Sequence, residues 1–178
     1  NDKELITLIN KYKSLILLHK HNRKGIKGAW LQCLKVAIEK NSDFIIFEND
    51  IVPSNFFFKF AKLCFSFYRN EKKFFGFTGY CPKSNVNISN KFNLNTTLSY
   101  RFGSWSFATN VRVAKDFLLF IKKNSSHKIG EILWTYRSEV GKDTYAHFLS
   151  DQKYNRNLFG YIWVAFTISN RGLWLYPS

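Results

Sequence analysis

Phe44-Ile45-Ile46-Phe47-Glu48-Asn49-Asp50 is an unbroken aromatic and β-branched run that stops on three polar residues, two of them acids. Four consecutive apolar residues bounded in this way predict a central parallel strand buried on both faces, with the polar triplet at its C-terminal end. Open α/β sheets place their ligands at that end. In an extended chain, residues two apart point to the same side, so Glu48 and Asp50 are expected to converge on one spot. Two crowded, part-buried carboxylates destabilise each other unless a cation or hydrogen-bond donors compensate. A hard divalent ion such as Mg²⁺ or Mn²⁺, completed by the oxygens of a diphosphate, resolves that conflict. The same triplet also reads as the start of a solvated turn.

Working outward, the flanking segments alternate between helix and strand periodicities. Upstream, apolar positions at Leu5, Ile6, Leu8, Ile9 and Tyr12 predict a helix over 3–13, and Ser14-Leu15-Ile16-Leu17-Leu18 reads as a short buried strand. A second helix is expected to start near Gly25 and to end at Asn41-Ser42. Downstream, Pro53 predicts a helix opening at its first turn, with an aromatic face of Phe56, Phe57, Phe60, Phe67 and Tyr68. Phe74-Phe75-Gly76-Phe77-Thr78 is the next strand. This order predicts an α/β layered sheet rather than a helical bundle or an all-β sandwich. The second half is less regular. Lys83–Thr97 reads as a long polar loop, a length usually reserved for functional lids or disordered segments. Helices are expected at 112–123, 143–152 and 159–168, and Leu173-Trp174-Leu175 as a last strand.

Composition bounds the function classes. The chain has 178 residues, 46% of them hydrophobic, which suits one domain with a substantial core. It begins without Met on a helix-like run, so a piece of a longer protein is expected. The 27 Lys and Arg exceed the 12 Asp and Glu, for a net charge of +15. That field attracts anions, whether phosphates, nucleic acid or an anionic membrane surface; an AT-rich genome also produces such a bias. Cys33, Cys64 and Cys81 are odd in number and lack metal-ligand spacing, which predicts reduced, mostly buried thiols and a cytoplasmic location. No apolar run approaches the roughly 18 to 20 residues needed to cross a bilayer. The histidines, His127 and His147 among them, lack ligand spacing and read as structural or solvated. The motifs of serine hydrolases, P-loop NTPases and zinc proteases do not occur.

Taken together, Phe44-Ile45-Ile46-Phe47-Glu48-Asn49-Asp50-Ile51-Val52-Pro53-Ser54 resembles the strand, D-x-D-type motif and following helix of bacterial GT-A glycosyltransferases of polysaccharide biosynthesis, where Glu-Asp-Asp-Ile-x-Pro-Ser is typical. Asn22-Arg23-Lys24-Gly25-Ile26-Lys27-Gly28-Ala29-Trp30 resembles that family's Asn-x-Gly turn and helix, with one extra residue; a glycine turn feeding a helix N-terminus suits phosphate. Phe77-Thr78-Gly79-Tyr80 is similar to its Ser/Thr-Gly-Tyr strand end. Arg101-Phe102-Gly103-Ser104-Trp105-Ser106-Phe107-Ala108-Thr109 is similar to its Ser-Trp-Gly-Trp-Ala-Thr segment. Phe159-Gly160-Tyr161-Ile162-Trp163 and Tyr176-Pro177-Ser178 resemble its aromatic helix and a late strand.

The resemblance implies a GT-A-type mixed sheet flanked by helices, with 1–178 forming one incomplete domain that lacks the first strand and the C-terminal segment. It implies transfer of a sugar from a UDP- or GDP-linked donor to a saccharide or lipid-linked acceptor. Asp50 would contact Mn²⁺ or Mg²⁺, and Glu48 and Asn49 the ribose or donor sugar. Asn22, Gly25, Gly79 and Trp105 would complete the donor site. Trp105 and Phe107 would supply an apolar wall, although core packing explains them equally, and Gly79 would admit a ligand close to the backbone or simply make a turn. An inverting transfer needs a carboxylate base. The family often has an Asp just before the aromatic helix, where Asn155-Arg156-Asn157-Leu158-Phe159 has no acid; Asp143 and Asp151 are the nearest substitutes. Glu131 and Glu139 are weaker ones. Peripheral contact with the inner membrane face is expected, and no nucleic-acid partner. The alternatives are a basic, aromatic-rich nucleic-acid-binding module and a catalytically inactive sugar-binding homologue.

Overall fold

Among the described residues, the fold rests on five short strands, two of which, Phe74–Thr78 and Ser106–Thr109, are buried throughout. The structure, a computed structural model, describes Thr7 and residues 25–48, 50–79 and 96–177. Among these, the helices are α1 (Gly25–Glu39), α2 (Phe57–Tyr68), α3 (Val111–Lys123), α4 (Ser126–Thr135), α5 (Arg137–Val140), α6 (Lys142–Tyr154) and α7 (Gly160–Ser169). The strands are β1 (Phe44–Phe47), β2 (Phe74–Thr78), β3 (Thr96–Ser99), β4 (Ser106–Thr109) and β5 (Leu173–Pro177). They form one mixed sheet in the order β1-β4-β2-β5-β3. Strand β4 is antiparallel to both β1 and β2, β2 is parallel to β5, and β3 is antiparallel to β5. The protein is therefore an α/β domain with helices on both faces of a mixed sheet. Expectations for 3–13, 14–18 and most of the 83–97 loop lie outside the described residues.

Alternation along the strands sorts the core into two layers. Ile46, Phe75, Phe107, Trp174 and Tyr176 face a large cluster built with α1, α3, α4, α6 and α7. Phe74, Phe77, Ala108 and Leu175 face the opposite side, where α2 contributes Phe57, Ala61 and Cys64. Phe74 and Phe77 reach the same side although three residues apart, because a register shift between Phe74 and Gly76 inserts a bulge. Gly76 has φ of 151°, and a Cβ there would strike the Ala108 carbonyl, so the bulge requires glycine. Helix α7 is buried from Tyr161 to Ile168. Its Trp163 stacks on Phe117 with centroids 3.6 Å apart. Fully burying one such aromatic stabilises the fold by about 1.5–3 kcal/mol.

Several boundaries follow from local chemistry. Helix α1 ends where Asn41 takes φ of 48°; the Asn41 N–H bonds the Ile38 carbonyl and the Ser42 N–H the Ala37 carbonyl, a Schellman-type stop. Asn110 and Ser125 cap α3 and α4 through their side chains. The expected helices at 112–123, 143–152 and 159–168 are α3, α6 and α7.

The structure corrects other expectations. Strand β1 is not central: among the described residues it is the end strand, paired antiparallel with β4. Nor is it buried on both faces, since only Ile46 of its four residues is buried; a short apolar run carries no information on neighbours or their direction. Helix α2 begins at Phe57 rather than at Pro53, since the Phe57 N–H closes a turn on the Ser54 carbonyl. Its aromatics do not form one buried face: Phe57 is buried, whereas Phe56 and Phe67 are 76% and 81% exposed. Thr96 and Thr97, read as the end of a loop, belong to β3. Cys64 is buried but Cys33 is exposed, and both are free thiols.

Candidate functional site

Three chain segments meet at the C-terminal ends of β1 and β2. The Glu48 N–H donates to the Trp105 carbonyl at 3.2 Å, carrying the β1–β4 ladder one residue past the strand. Beside it the Gly79 N–H donates to the Ser106 carbonyl at 2.9 Å. The chain then turns, with the Ile51 N–H bonded to the Glu48 carbonyl at 3.1 Å. That turn, rather than continued strand alternation, holds Asp50 near Glu48. Burial first, and then the neighbouring Asp50 carboxylate, push the Glu48 carboxyl above its ordinary range. Glu48 is partly buried, whereas Asp50 is exposed.

Glu48 also lines a cleft of about 380 Å³. Its polar walls include Arg101, Asp143, His147, Arg156 and Asn157; its apolar walls include Trp30, Phe102 and Phe159. Helices α1 and α6, the segment before β4 and the α6–α7 connection build it. Helix α1 places Trp30 against Phe159, centroids 5.3 Å apart and edge to face. The segment before β4 brings Arg101 and Phe102. Helix α6 projects Asp143 and His147, one turn apart, from one face. Arg101 donates to Asp143 in an ion pair, and both remain about half exposed. Gly141, with φ of 92°, makes room for that pair, since a Cβ there would run into Asp143 and Arg101.

Asp151 does a different job. One of its carboxylate oxygens accepts the Leu158 N–H at 2.9 Å, and the other accepts the Tyr161 hydroxyl at 2.8 Å. It ties the α6–α7 connection, which carries Arg156 and Asn157 into the cleft. Burial and then Asp151 push the Tyr161 phenol far above its usual value. Asn155 and Asn157 both occupy the left-handed region, with φ of 47° and 55°, a conformation that asparagine accepts more readily than most residues. The asparagine that stands before the aromatic helix is thus fitted to the backbone of this connection.

Of the residues singled out by sequence, the structure brings Glu48, Asp50, Gly79 and Trp105 to one sheet end, with Asp143 across the adjoining cleft. Gly25 opens α1 with φ of 64° and backs onto Asn157. A Cβ on Gly79 would strike Ser106 and Phe57, so its place is filled by the protein's own side chains. Trp105 is 47% exposed, whereas Phe107 is fully buried among Trp30, Phe102, Trp163 and Trp174, and forms no ligand wall. Trp30 and Phe102 line the cleft instead. Asn22 and Asn49 lie outside the described residues. Sequence reasoning missed Arg101 and Arg156 and read His147 as structural or solvated. The spacing of Asp143 and His147 on one helix face was the available signal.

No group of three or more His, Cys, Asp or Glu among the described residues is arranged to hold a metal. The Glu48–Asp50 pair supplies two carboxylates, a donor set that suits a hard cation whose remaining ligands come from phosphate oxygens and water. No helix among the described residues is long and apolar enough to cross a membrane. No protein family, curated protein or solved structure matches the chain.

Proposed function

We propose that the chain is a GT-A-type glycosyltransferase that moves a sugar from a nucleoside-diphosphate donor to a saccharide or lipid-linked acceptor. The observation that carries this reading is the pair of neighbouring acids Glu48 and Asp50 just past the end of β1, beside a cleft that Glu48 lines together with Arg101, Asp143 and Arg156. Two crowded acids are costly as a structural feature and useful as a cation site. Asp50 and Glu48 would hold Mn²⁺ or Mg²⁺, which when bound neutralises charge on the departing diphosphate.

The chain's own side chains then have separable tasks. Arg101 and Arg156 offer guanidinium groups to anionic oxygens, a geometry suited to phosphate. Trp30 and Phe102 offer apolar surface to the C–H faces of a sugar. Asp143 is the carboxylate that shares the cleft with Glu48, and accepts the proton of the acceptor hydroxyl as its oxygen bonds to the anomeric carbon. The bond from that carbon to the diphosphate oxygen breaks in the same step, and the nucleoside diphosphate leaves with the electron pair. Asp151, whose oxygens are engaged by Leu158 and Tyr161, is a positioning residue.

The reading is tested by incubating the protein with UDP- and GDP-linked hexoses, with and without Mn²⁺, and measuring release of nucleoside diphosphate. Manganese-dependent release that Asp50→Ala abolishes is expected. Equal release by the wild type and the variant would remove the basis for the assignment.

A further inference from the structure

The outward surface of α2 combines exposed aromatic side chains with exposed lysines. Phe56, Leu63 and Phe67 are 76%, 60% and 81% exposed. With half-buried Phe60 between them they follow a 4-3-4 spacing, which lines them along one flank of the helix. Side chains of this size, exposed side by side, mark a contact surface rather than the scattered apolar residues of an ordinary protein exterior. Lys59 stands exposed beside the stripe and Lys62 is exposed on the next face of the helix, and residues 55–70 contain no Asp or Glu.

We propose that this flank of α2 docks on an anionic lipid bilayer, with the aromatic stripe seated at the headgroup boundary and Lys59 and Lys62 reaching the lipid phosphates. Apolar side chains flanked by lysines are the pattern of helices that lie in a membrane interface, where apolar burial and attraction to anionic lipid add together. Long lysine side chains let the stripe sink while the ammonium groups stay at the phosphates. A second copy of the chain is a poorer occupant, because a twofold contact through the stripe sets Lys59 and Lys62 against their own copies. The net charge of +15 draws the whole domain toward the same surface.

The placement deepens the proposed transferase reading and rests on it for its consequence. Phe56 follows Asp50 by six residues, so the carboxylate pair and the stripe adjoin on one continuous segment. A bilayer on α2 would present a lipid-linked acceptor beside the segment that carries Asp50.

Co-sedimentation of the full chain with phosphatidylcholine vesicles, and with vesicles of equal parts phosphatidylcholine and phosphatidylglycerol, tests the docking. Binding to the anionic vesicles alone, weakened by added salt, is expected. Lys59→Gln with Lys62→Gln should reduce partitioning about fivefold for each charge removed. Phe56→Asp with Phe67→Asp should reduce it on the order of tenfold or more. All four positions are exposed, so melting temperatures should stay at the wild-type value. Phe67→Trp should retain binding, because tryptophan suits the interface. Failure of the wild type to bind, or binding indifferent to both pairs of substitutions, overturns the proposal. So does a dimer that the Phe56→Asp, Phe67→Asp variant converts to monomer, or an oligodeoxythymidine complex lost with the same variant. A manganese-dependent nucleotide shift measured without vesicles reads the transferase site separately, so loss of vesicle binding alone removes the docking surface and leaves the site standing.

Discussion

The carboxylate of Asp151 accepts the Tyr161 hydroxyl at 2.8 Å while its second oxygen accepts the Leu158 N–H at 2.9 Å, so one side chain closes the connection between α6 and α7. Removing it leaves a part-buried phenol and a backbone N–H without their acceptor, a loss of about 1–3 kcal/mol. Asp151→Ala should lower the melting temperature by roughly 3–9 °C for a chain of this size, followed by circular dichroism. Tyr161→Phe removes one bond only and should cost less. A melting temperature unchanged in Asp151→Ala would show that the connection is held by other contacts.

Glu48 should behave in the opposite sense. Its carboxyl titrates above the ordinary value of 4.5 because burial, and then Asp50, oppose its charge. The folded state therefore keeps the proton more readily than the unfolded chain, and stability is lost as pH rises from 4.5 through the raised folded value. Glu48→Gln carries no such loss. The variant should melt above the wild type at neutral pH, with the difference vanishing below the ordinary carboxyl range. The same substitution should weaken any manganese-dependent effect of a nucleoside diphosphate. A variant less stable than the wild type at neutral pH contradicts the electrostatic account of the pair.

Arg101 and Asp143 lie 42 residues apart in sequence and meet as an ion pair at the cleft. If Asp143 takes the acceptor proton, Asp143→Ala should reduce kcat on the order of 10²- to 10⁴-fold with little change in donor binding. Arg101→Ala and the double variant complete a cycle in which the effects should fall well short of additive. Full activity in Asp143→Ala moves the proton transfer to another group.

How far the sequence reaches is clearest at β4. Phe74–Thr78 reads as a strand because aromatics fill it, and its five residues are buried as expected. Ser106-Phe107-Ala108-Thr109 has one large apolar residue and reads as an irregular segment, yet it is the strand between β1 and β2. Its burial comes from its neighbours, not from its own composition. The end of α1 is legible because Asn41 and Ser42 carry the stop locally. The start of α2 is not, because the turn closed by Ser54 displaces the boundary that Pro53 suggests.

The candidate site divides in the same way. Glu48 and Asp50 are legible because a single segment holds the strand, its end and the acids. Arg101, His147 and Arg156 come from separate segments whose meeting depends on the packing of α6 against α7, which no local pattern encodes. Asp151 stands out as an acid near the aromatic helix, but its two hydrogen bonds belong to tertiary structure.

The most direct measurement is thermal unfolding of the wild type and of Asp50→Ala with UDP or GDP, each with and without Mn²⁺. At a ligand concentration about 100-fold above its dissociation constant, binding to the folded state adds roughly 2.7 kcal/mol. The account predicts a rise of about 5–10 °C in the wild type that needs both nucleotide and metal and is absent from Asp50→Ala. A wild type indifferent to both nucleotides in the presence of Mn²⁺, or an Asp50→Ala variant that shifts as the wild type does, would contradict it.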